Sequence, residues 1–383
     1  MVSSSHIAEI DDGLESLRLV DHHCHSVFVG RSDREAFEAV ITESHAELPG
    51  GSHFDSQLGF AVRRWCAPAL GLQAHDAAGT YIDRRGSFEP DTLNRLLLSS
   101  SGVGRYLVDT GFPSEEVLSL AEMATVGEAS CDEIVRLEQV ADDTIGTGVR
   151  AGEFAEAFTA ELGMRLARGA VGTKSIAAYR FGLDFDPERP DTEEVRRAVD
   201  RWLAEIETTG QVRVHDPTLL AFLVWAGIDA RVPLQVHVGL GDRDLDLLRC
   251  NPLHLTGFIR LTEATGTPVM LLHCYPYHRE AGYLAQIFPH VFFDVGLGVN
   301  LVGAQSRQLV AESLELAPFA KQLYSSDGWG APELHFLGAR LWRNAMSAVL
   351  GCYVGQGDWT VDEALRVAEM IGARNAERLY GSA

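Results

Sequence analysis

The sequence predicts an α/β fold, a (β/α)8 TIM barrel, because eight short apolar runs alternate with helical stretches along its 383 residues. Continuous apolar runs of this kind, each followed by a helix, are typical of a parallel sheet that is buried on both faces. A doubly wound sheet is the competing fold, but no glycine-rich G-x-G-x-x-G turn follows the first run. The length fits one barrel domain over residues 1–383, since such barrels often use this many residues in one domain.

The predicted helices and strands differ in the period of their apolar residues. Residues 152–168 and 192–208 carry apolar side chains at helical spacing, and Asp191 is the expected N-cap of the second helix. The eight strands are short and rich in β-branched and other apolar residues, as expected for strands of a buried sheet. They cover residues 17–23, 105–109, 133–137, 170–177, 233–238, 268–273, 290–295 and 322–326.

Two segments are longer than a minimal barrel needs. Residues 26–103, an insertion after the first strand, are predicted to be helical, with the clearest pattern at 54–70. We expect this insertion to form a helical cap over the mouth of the barrel. Residues 178–232 exceed one crossover and should hold two helices, and the tail after Asp327 should form extra C-terminal helices.

Charge and cysteine content exclude several classes of partner. The chain has 54 acidic and 32 basic residues, a net charge of −22, so neither nucleic acid nor an anionic membrane is an expected partner. No apolar run reaches membrane-spanning length, and the first residues show no signal-peptide pattern. The six cysteines form no C-x-x-C pair, which indicates reduced thiols. We therefore expect a cytoplasmic protein that acts on a small molecule.

Metal-binding residue types occur at the ends of several predicted strands. His23 and His25 alternate along the first strand, so their side chains should share one face. His237 and His273 end the fifth and sixth strands, and Asp327 follows the eighth. The carboxyl ends of barrel strands meet at one mouth, where active sites are built. Neutral imidazoles and a carboxylate bind Zn²⁺ well, so the sequence predicts a metal site there.

Some residues near these histidines are expected to have structural roles. Strand alternation should turn Cys24 away from the face that carries His23 and His25, so core packing is its expected role. His254 and His335 lack any matching spacing, and we expect them to be structural.

Longer local matches connect these residues to a known family. The sequence resembles the amidohydrolase superfamily, more narrowly its amidohydrolase-2 type, and is similar to the metal-dependent hydrolase module fused to glutamine-synthetase-like proteins. The resemblance extends from the first strand to the eighth and so covers nearly the whole chain. It is carried by VDHHCH, VGTKSIAAYRFGLD, PLQVHVGLGDRDLDLLRCNPLHL, LLHCYPYHREAGYLAQIFPHVFFDVG and YSSDGWGAPE.

The resemblance implies a set of roles for residues of this sequence. The metal ligands would be His23, His25, His237, His273 and Asp327, with Asp327 and His273 as the catalytic residues and Asp327 as proton shuttle. One or two divalent ions, Zn²⁺ by expectation, would act through a metal-activated hydroxide. Lys174, at the end of the fourth strand, would be a carboxylated lysine that bridges two metals. Its alternatives are an ion pair or contact with a substrate carboxylate.

The expected reaction is hydrolysis of a C–N bond of amide type in a small, carboxylate-bearing substrate such as a γ-glutamyl amide. An amidohydrolase-2-type decarboxylase or isomerase would use the same ligands, and a non-catalytic metal-binding barrel is the remaining alternative. A homo-oligomer is expected only at the level of the family. Candidate substrate-binding residues lie in the loops after the fourth and sixth strands, and they are Tyr179, Arg180, Tyr275, His278 and Arg279.

Overall fold

The computed structural model describes residues 4–44, 48–112 and 115–382. Within these residues seven strands follow one another in chain order in one sheet, and neighbouring strands pair in parallel wherever their register is defined. This α/β order agrees with the prediction for the first seven strands. The strands are β1 (Leu19–Cys24), β2 (Val103–Asp109), β3 (Ser130–Arg136), β4 (Gly172–Ser175), β5 (Leu234–His237), β6 (Val269–Leu272) and β7 (Val291–Phe293).

Helices lie before, between and after the strands. Two short π-helical turns, Val62–Cys66 and Met370–Arg374, interrupt helical runs. Short 3₁₀ turns are Leu247–Cys250, Pro252–Leu255, Glu263–Thr265, Gly303–Gln305 and Phe319–Lys321. The α-helices are α1 (Ser4–Ser16), α2 (Arg34–Val40), α3 (Gln57–Ala61), α4 (Ala67–Ala69), α5 (Ala78–Gly86), α6 (Pro90–Ser100), α7 (Leu120–Gly127), α8 (Leu137–Gly146), α9 (Phe154–Ala167), α10 (Ala177–Arg180), α11 (Thr192–Thr209), α12 (Pro217–Asp229), α13 (Thr256–Thr262), α14 (His278–Ile287), α15 (Gly296–Val302), α16 (Ser306–Ser313), α17 (Pro332–Gln356), α18 (Val361–Glu369) and α19 (Asn375–Tyr380).

The chain divides into two compact units. Unit 1 comprises the described residues within Met1–Val108, Phe112–Asp132 and Asp294–Ala383. Unit 2 comprises Asp109–Gly111 and Glu133–Phe293.

In unit 1 the long helix α17 is the main packing partner of the other helices. Its packing partners include α1, α6, α15, α16 and the π-helical turn Val62–Cys66. The described residues between 26 and 103 contain the helices α2 to α6, which belong to this unit, and their role as a cap over the barrel mouth stays a prediction. A buried ion pair joins them to α17, because Arg85 Nε donates to Glu333 Oε1 over 2.7 Å. The Tyr81 hydroxyl donates to the same oxygen over 2.9 Å.

Residues 322–326, the predicted eighth strand, do not form a regular strand. The described residues therefore contain seven strands instead of the predicted eight. This extended segment nevertheless bonds to β1, since His22 N donates to Tyr324 O and Asp327 N donates to His23 O. On its other side, Tyr324 N donates to Ile371 O in the π-helical turn near the C-terminus. The segment is therefore held between β1 and the helical tail.

Unit 2 contains most of the predicted βα alternation. Helix α11 begins after Asp191, whose side chain accepts a hydrogen bond from Glu194 N in a capping box, as the sequence predicted. Residues 178–232 hold α11 and α12 as expected, after the short α10. The strands β4 to β7 are fully buried, in agreement with their continuous apolar pattern. None of the helices among the described residues has the length and apolarity needed to cross a bilayer.

Candidate metal centre

Two histidines and one carboxylate meet in unit 1 beyond the end of β1. His23 Nε2 lies 3.2 Å from Asp327 Oδ1, and His25 Nε2 lies 3.7 Å from the same oxygen. One donor atom from each of the three residues falls within 4.8 Å of the others. The side chains are almost fully buried, so few waters compete for the donors. Two imidazoles and a carboxylate are a donor set that fits a divalent ion such as Zn²⁺.

Backbone hydrogen bonds fix Asp327 beside the two histidines. His25 N donates to Gly328 O over 2.8 Å, one residue beyond the bond from Asp327 N to His23 O. Asp327 has a φ of 49°, a left-handed conformation that is uncommon for residues other than glycine, asparagine and aspartate. This turn directs the carboxylate at the histidines instead of continuing the extended segment. The sequence predicted that Asp327 would lie near these histidines, as it does, but not its backbone conformation; its role as a ligand stays a prediction.

An apolar wall covers one side of this cluster. The ring of Phe112 meets the ring of His25 edge-on, with 4.7 Å between centroids, and it packs at 5.2 Å against Trp329. Trp329 follows Asp327 by two residues, so the same turn supplies a ligand and part of the wall. Aromatic packing of this kind limits the rotation of the His25 ring and strengthens electrostatic interactions by excluding water.

His22 belongs to a separate buried network in unit 1. Its Nε2 is 3.0 Å from Asp294 Oδ2, and Ser325 Oγ and Gly296 N donate to the other oxygen of Asp294, each over 2.7 Å. Burial alone would raise the pKa of Asp294, but these hydrogen bonds and the attraction of His22 hold it below its usual value. Sequence reasoning missed Asp294, although its place directly after β7 was a usable signal.

In unit 2, His237 and His273 lie together as predicted. Their ring centroids are 4.9 Å apart, and the ring of Tyr179 lies 4.4 Å from that of His237. His237 is the last residue of β5, and His273 follows β6 with a left-handed φ of 68°. Both imidazoles are buried. His237 and His273 thus form a pair of potential metal ligands in unit 2.

Lys174 is paired with a carboxylate in unit 2. Its Nζ lies 3.8 Å from Asp109 Oδ2, and Arg136 donates to the same carboxylate with Nη2 at 2.9 Å. Asp109 is buried, so two cations share one desolvated anion. The ion pair, one of the alternatives for Lys174, is therefore observed. Its role as a carboxylated bridging ligand stays a prediction, and Asp109 is a residue that sequence reasoning did not select.

The candidate substrate residues have varied surroundings in unit 2. Arg180 Nη2 lies 3.3 Å from Asp142 Oδ2. Burial lowers the pKa of Arg180, although Asp142 opposes that shift. Tyr275 stacks on His278 with 6.2 Å between ring centroids, and Arg279 is exposed on the first turn of α14. Their contact with a substrate stays a prediction, as does that of Tyr179.

Comparison with known proteins agrees with this donor chemistry. The family model described as Amidohydrolase matches residues 114–382, which is more than half of the chain. The chain belongs to this amidohydrolase family. The match includes four of the six predicted ligand positions, Lys174, His237, His273 and Asp327, while His23 and His25 precede it. Membership confirms the resemblance that the sequence motifs carried.

Individual relatives of this amidohydrolase share its sequence, its fold or both. Protein fluG of Emericella nidulans is 38% identical over 240 residues, which are 59% of this chain but only 27% of that protein. A "putative metal-dependent hydrolase" from Lactobacillus casei ATCC 334 is 30% identical, covers 97% of both chains and has a TM-score of 0.82. A uronate isomerase from Bacillus halodurans C-125 is 12% identical over 100% of this chain and 98% of its own, with a TM-score of 0.66, and shows the fold alone.

Proposed function

We propose that this amidohydrolase is a metal-dependent enzyme that hydrolyses a C–N bond of amide type in a small, carboxylate-bearing substrate. A γ-glutamyl amide is the substrate type we favour. The observation that carries the proposal is the buried cluster of His23, His25 and Asp327, in which two imidazoles converge on one carboxylate oxygen. The similarity over 97% of the chain to the "putative metal-dependent hydrolase" from Lactobacillus casei ATCC 334 supports it.

The proposed ligands are His23, His25, His237, His273 and Asp327, with Lys174 as a bridging ligand if it is carboxylated. The two unit 2 histidines are included because the family resemblance assigns them and because their rings lie together. Zn²⁺ is the proposed ion, since imidazole nitrogen and carboxylate oxygen are its common protein ligands. The number of ions, one or two, depends on Lys174.

Asp327 is the proposed proton carrier of the reaction. A divalent ion held by these side chains would polarise the scissile carbonyl and increase the acidity of water. Asp327 then takes a proton from the attacking water and returns it to the departing amine. The hydrogen bond from Asp327 N to His23 O keeps the carboxylate in place through both transfers. His273 is the second proposed catalytic residue.

The test combines metal analysis with a substrate panel. Purified protein is assayed for bound metal and for turnover of γ-glutamyl amides, N-acyl amino acids and aromatic carboxylates. We expect Asp327→Asn to lower kcat by roughly 100-fold or more, the scale of a lost general acid–base group. His254→Asn is the matched control, because His254 is an exposed histidine outside both ligand groups. Unchanged turnover in Asp327→Asn would contradict the assignment.

An isomerase or decarboxylase is the second candidate, and the isomerase is favoured by one observation, the fold shared with uronate isomerases. Hydrolysis and its alternatives differ in how they use water. Reaction in ¹⁸O-labelled water places the label in the carboxylate product of hydrolysis. Release of CO₂, or isomerisation of a uronate with no amine product, would replace the hydrolase assignment.

We further propose a cytoplasmic location and a small-molecule partner. None of the six cysteines forms a disulfide, and four of them are fully buried, which suits a reducing compartment. A homo-oligomer stays a prediction, and sedimentation of the purified chain would test it.

A further inference from the structure

A second cluster of metal-binding residue types lies in unit 1, outside the ligand set proposed above. Asp21, Cys24 and His335 each offer one donor atom, and these atoms lie within 4.8 Å of one another. All three residues are buried and show no solvent exposure. Neither Cys24 nor His335 was expected to have more than a structural role.

A break in the regular pattern of β1 makes this cluster. The pairing of β1 with β2 is irregular between Asp21 and Cys24, so simple alternation fails there. His22 reaches the Asp294 network, while Cys24 comes close to Asp21, three residues earlier. Cys24 is buried as expected, and its thiol belongs to a different group of donor atoms from those of His23 and His25.

His335 is the member that lacks hydrogen bonds. It lies on the first turn of α17, and neither of its ring nitrogens has a hydrogen-bond partner among the described residues. Its ring packs against Gly328, where an added Cβ would come within 2.7 Å of the imidazole, and edge-on against Tyr106. A buried polar group without a partner costs about 1–3 kcal/mol. This imidazole is held in place by its neighbours and has two ring nitrogens without hydrogen bonds, so it can bind an ion or a water molecule.

Asp21 is already oriented for a further ligand. Ser326 N donates to Oδ1 over 2.9 Å, and Ser326 Oγ donates to Oδ2. The backbone of His23 also bonds to this carboxyl group, so several hydrogen bonds fix its orientation. Supporting hydrogen bonds of this type fix the direction of a metal-binding carboxylate.

We propose that Asp21, Cys24 and His335 form a second site for a divalent cation, distinct from the ligand set that contains His23 and His25. The thiolate, imidazole and carboxylate suit Zn²⁺, and the one sulfur ligand disfavours Mg²⁺ and Ca²⁺. A point can be found no more than about 2.8 Å from all three donors, so a shift of roughly 0.5–0.8 Å reaches normal Zn²⁺ bond lengths. Burial raises the pKa of Asp21 to about 8, so binding displaces two protons into solvent at neutral pH, one from the Cys24 thiol and one from the Asp21 carboxyl group. The site would join β1 to α17 and have a structural role.

Cobalt spectroscopy tests the site, because of the two proposed metal sites this one alone has a sulfur ligand. Metal-free protein is titrated with Co²⁺ while near-ultraviolet absorption and bound metal are measured. We expect a thiolate-to-cobalt charge-transfer band that is lost in Cys24→Ser and in His335→Gln, with about one equivalent less Co²⁺ per chain. Cys274→Ser is the matched control, since Cys274 is also buried but adjoins His273 of the other set. It should keep the band.

The outcomes separate this site from the proposed function. Absence of the band in the wild-type protein overturns the proposal without any variant. Loss of the band in Cys274→Ser instead would also overturn it, by placing the sulfur ligand beside His273. A band that persists when Asp327→Asn has lost turnover supports this site independently of the catalytic assignment. Circular dichroism confirms that each variant is folded.

Discussion

The ion pair between Arg85 and Glu333 gives the sharpest test of how the insertion is held in unit 1. The Arg85 side chain is 7% exposed and that of Glu333 is fully buried, so solvent screens neither charge. Replacing Glu333 by Gln keeps the shape but leaves the Arg85 cation in a dry site without a counter-charge. Breaking such a pair costs about 3–5 kcal/mol. Since Gln can still accept a hydrogen bond, we expect about 3 kcal/mol.

Thermal unfolding followed by calorimetry measures this loss. In a unit of this size, 3 kcal/mol corresponds to a fall in Tm of about 6–12 °C. Tyr81→Phe removes one hydrogen bond to the same carboxylate and should cost about 1.5 kcal/mol. The matched control is Glu89→Gln, because Glu89 pairs with Arg31 on the surface, where both side chains are at least half exposed. That change should cost about 0.5 kcal/mol or less. Equal Tm shifts for the Glu333 and Glu89 variants would refute the argument from burial.

Three further predictions concern pH, capping and metal. Burial lowers the pKa of His335 from 6.5 to about 3. As the pH falls, His335 therefore gains its proton near pH 6.5 in the unfolded chain but only near pH 3 in the folded protein. Stability of metal-free protein should therefore fall between pH 6.5 and 3, by on the order of 5 kcal/mol, and His335→Gln should flatten this part of a pH series of urea midpoints. Asp191→Ala should destabilise unit 2 by about 1 kcal/mol in urea unfolding, while Asp191→Asn, which keeps the cap, should cost much less. A chelator should lower Tm, because a bound ion stabilises only the folded state, and restored Zn²⁺ should reverse the change; an unaltered Tm would count against any resident metal.

Seven of the strands were predictable within a few residues because their apolar runs are continuous and short. The eighth was not, since the backbone of residues 322–326 bonds both to β1 and to the distant Ile371, and a local pattern carries no information about such a neighbour. The residues of the candidate metal centre could be chosen from strand ends alone. Their conformations could not, because the left-handed φ of Asp327 and of His273 depends on tertiary contacts.

The buried polar partners were the least predictable part of the molecule. Asp294 is 272 residues from His22 along the chain, and Lys174 pairs with Asp109 from a different strand. The group of Asp21, Cys24 and His335 lies at an irregularity in the pairing of β1 with β2, between Asp21 and Cys24. Sequence spacing cannot show such an irregularity, since regular alternation is the assumption from which the spacing argument starts.

The division of the chain into two units also constrains the order in which they fold during translation. Residues 133–293 form an uninterrupted stretch of unit 2, whereas unit 1 needs the segments before and after it. Helix α1 packs against α17 and α18, which are synthesised more than 300 residues later. The apolar face of α1, which includes the buried Ile10 and Leu14, must wait for these partners. During translation the first unit is thus an incomplete nascent intermediate, and this is the interval in which chaperones would be needed most.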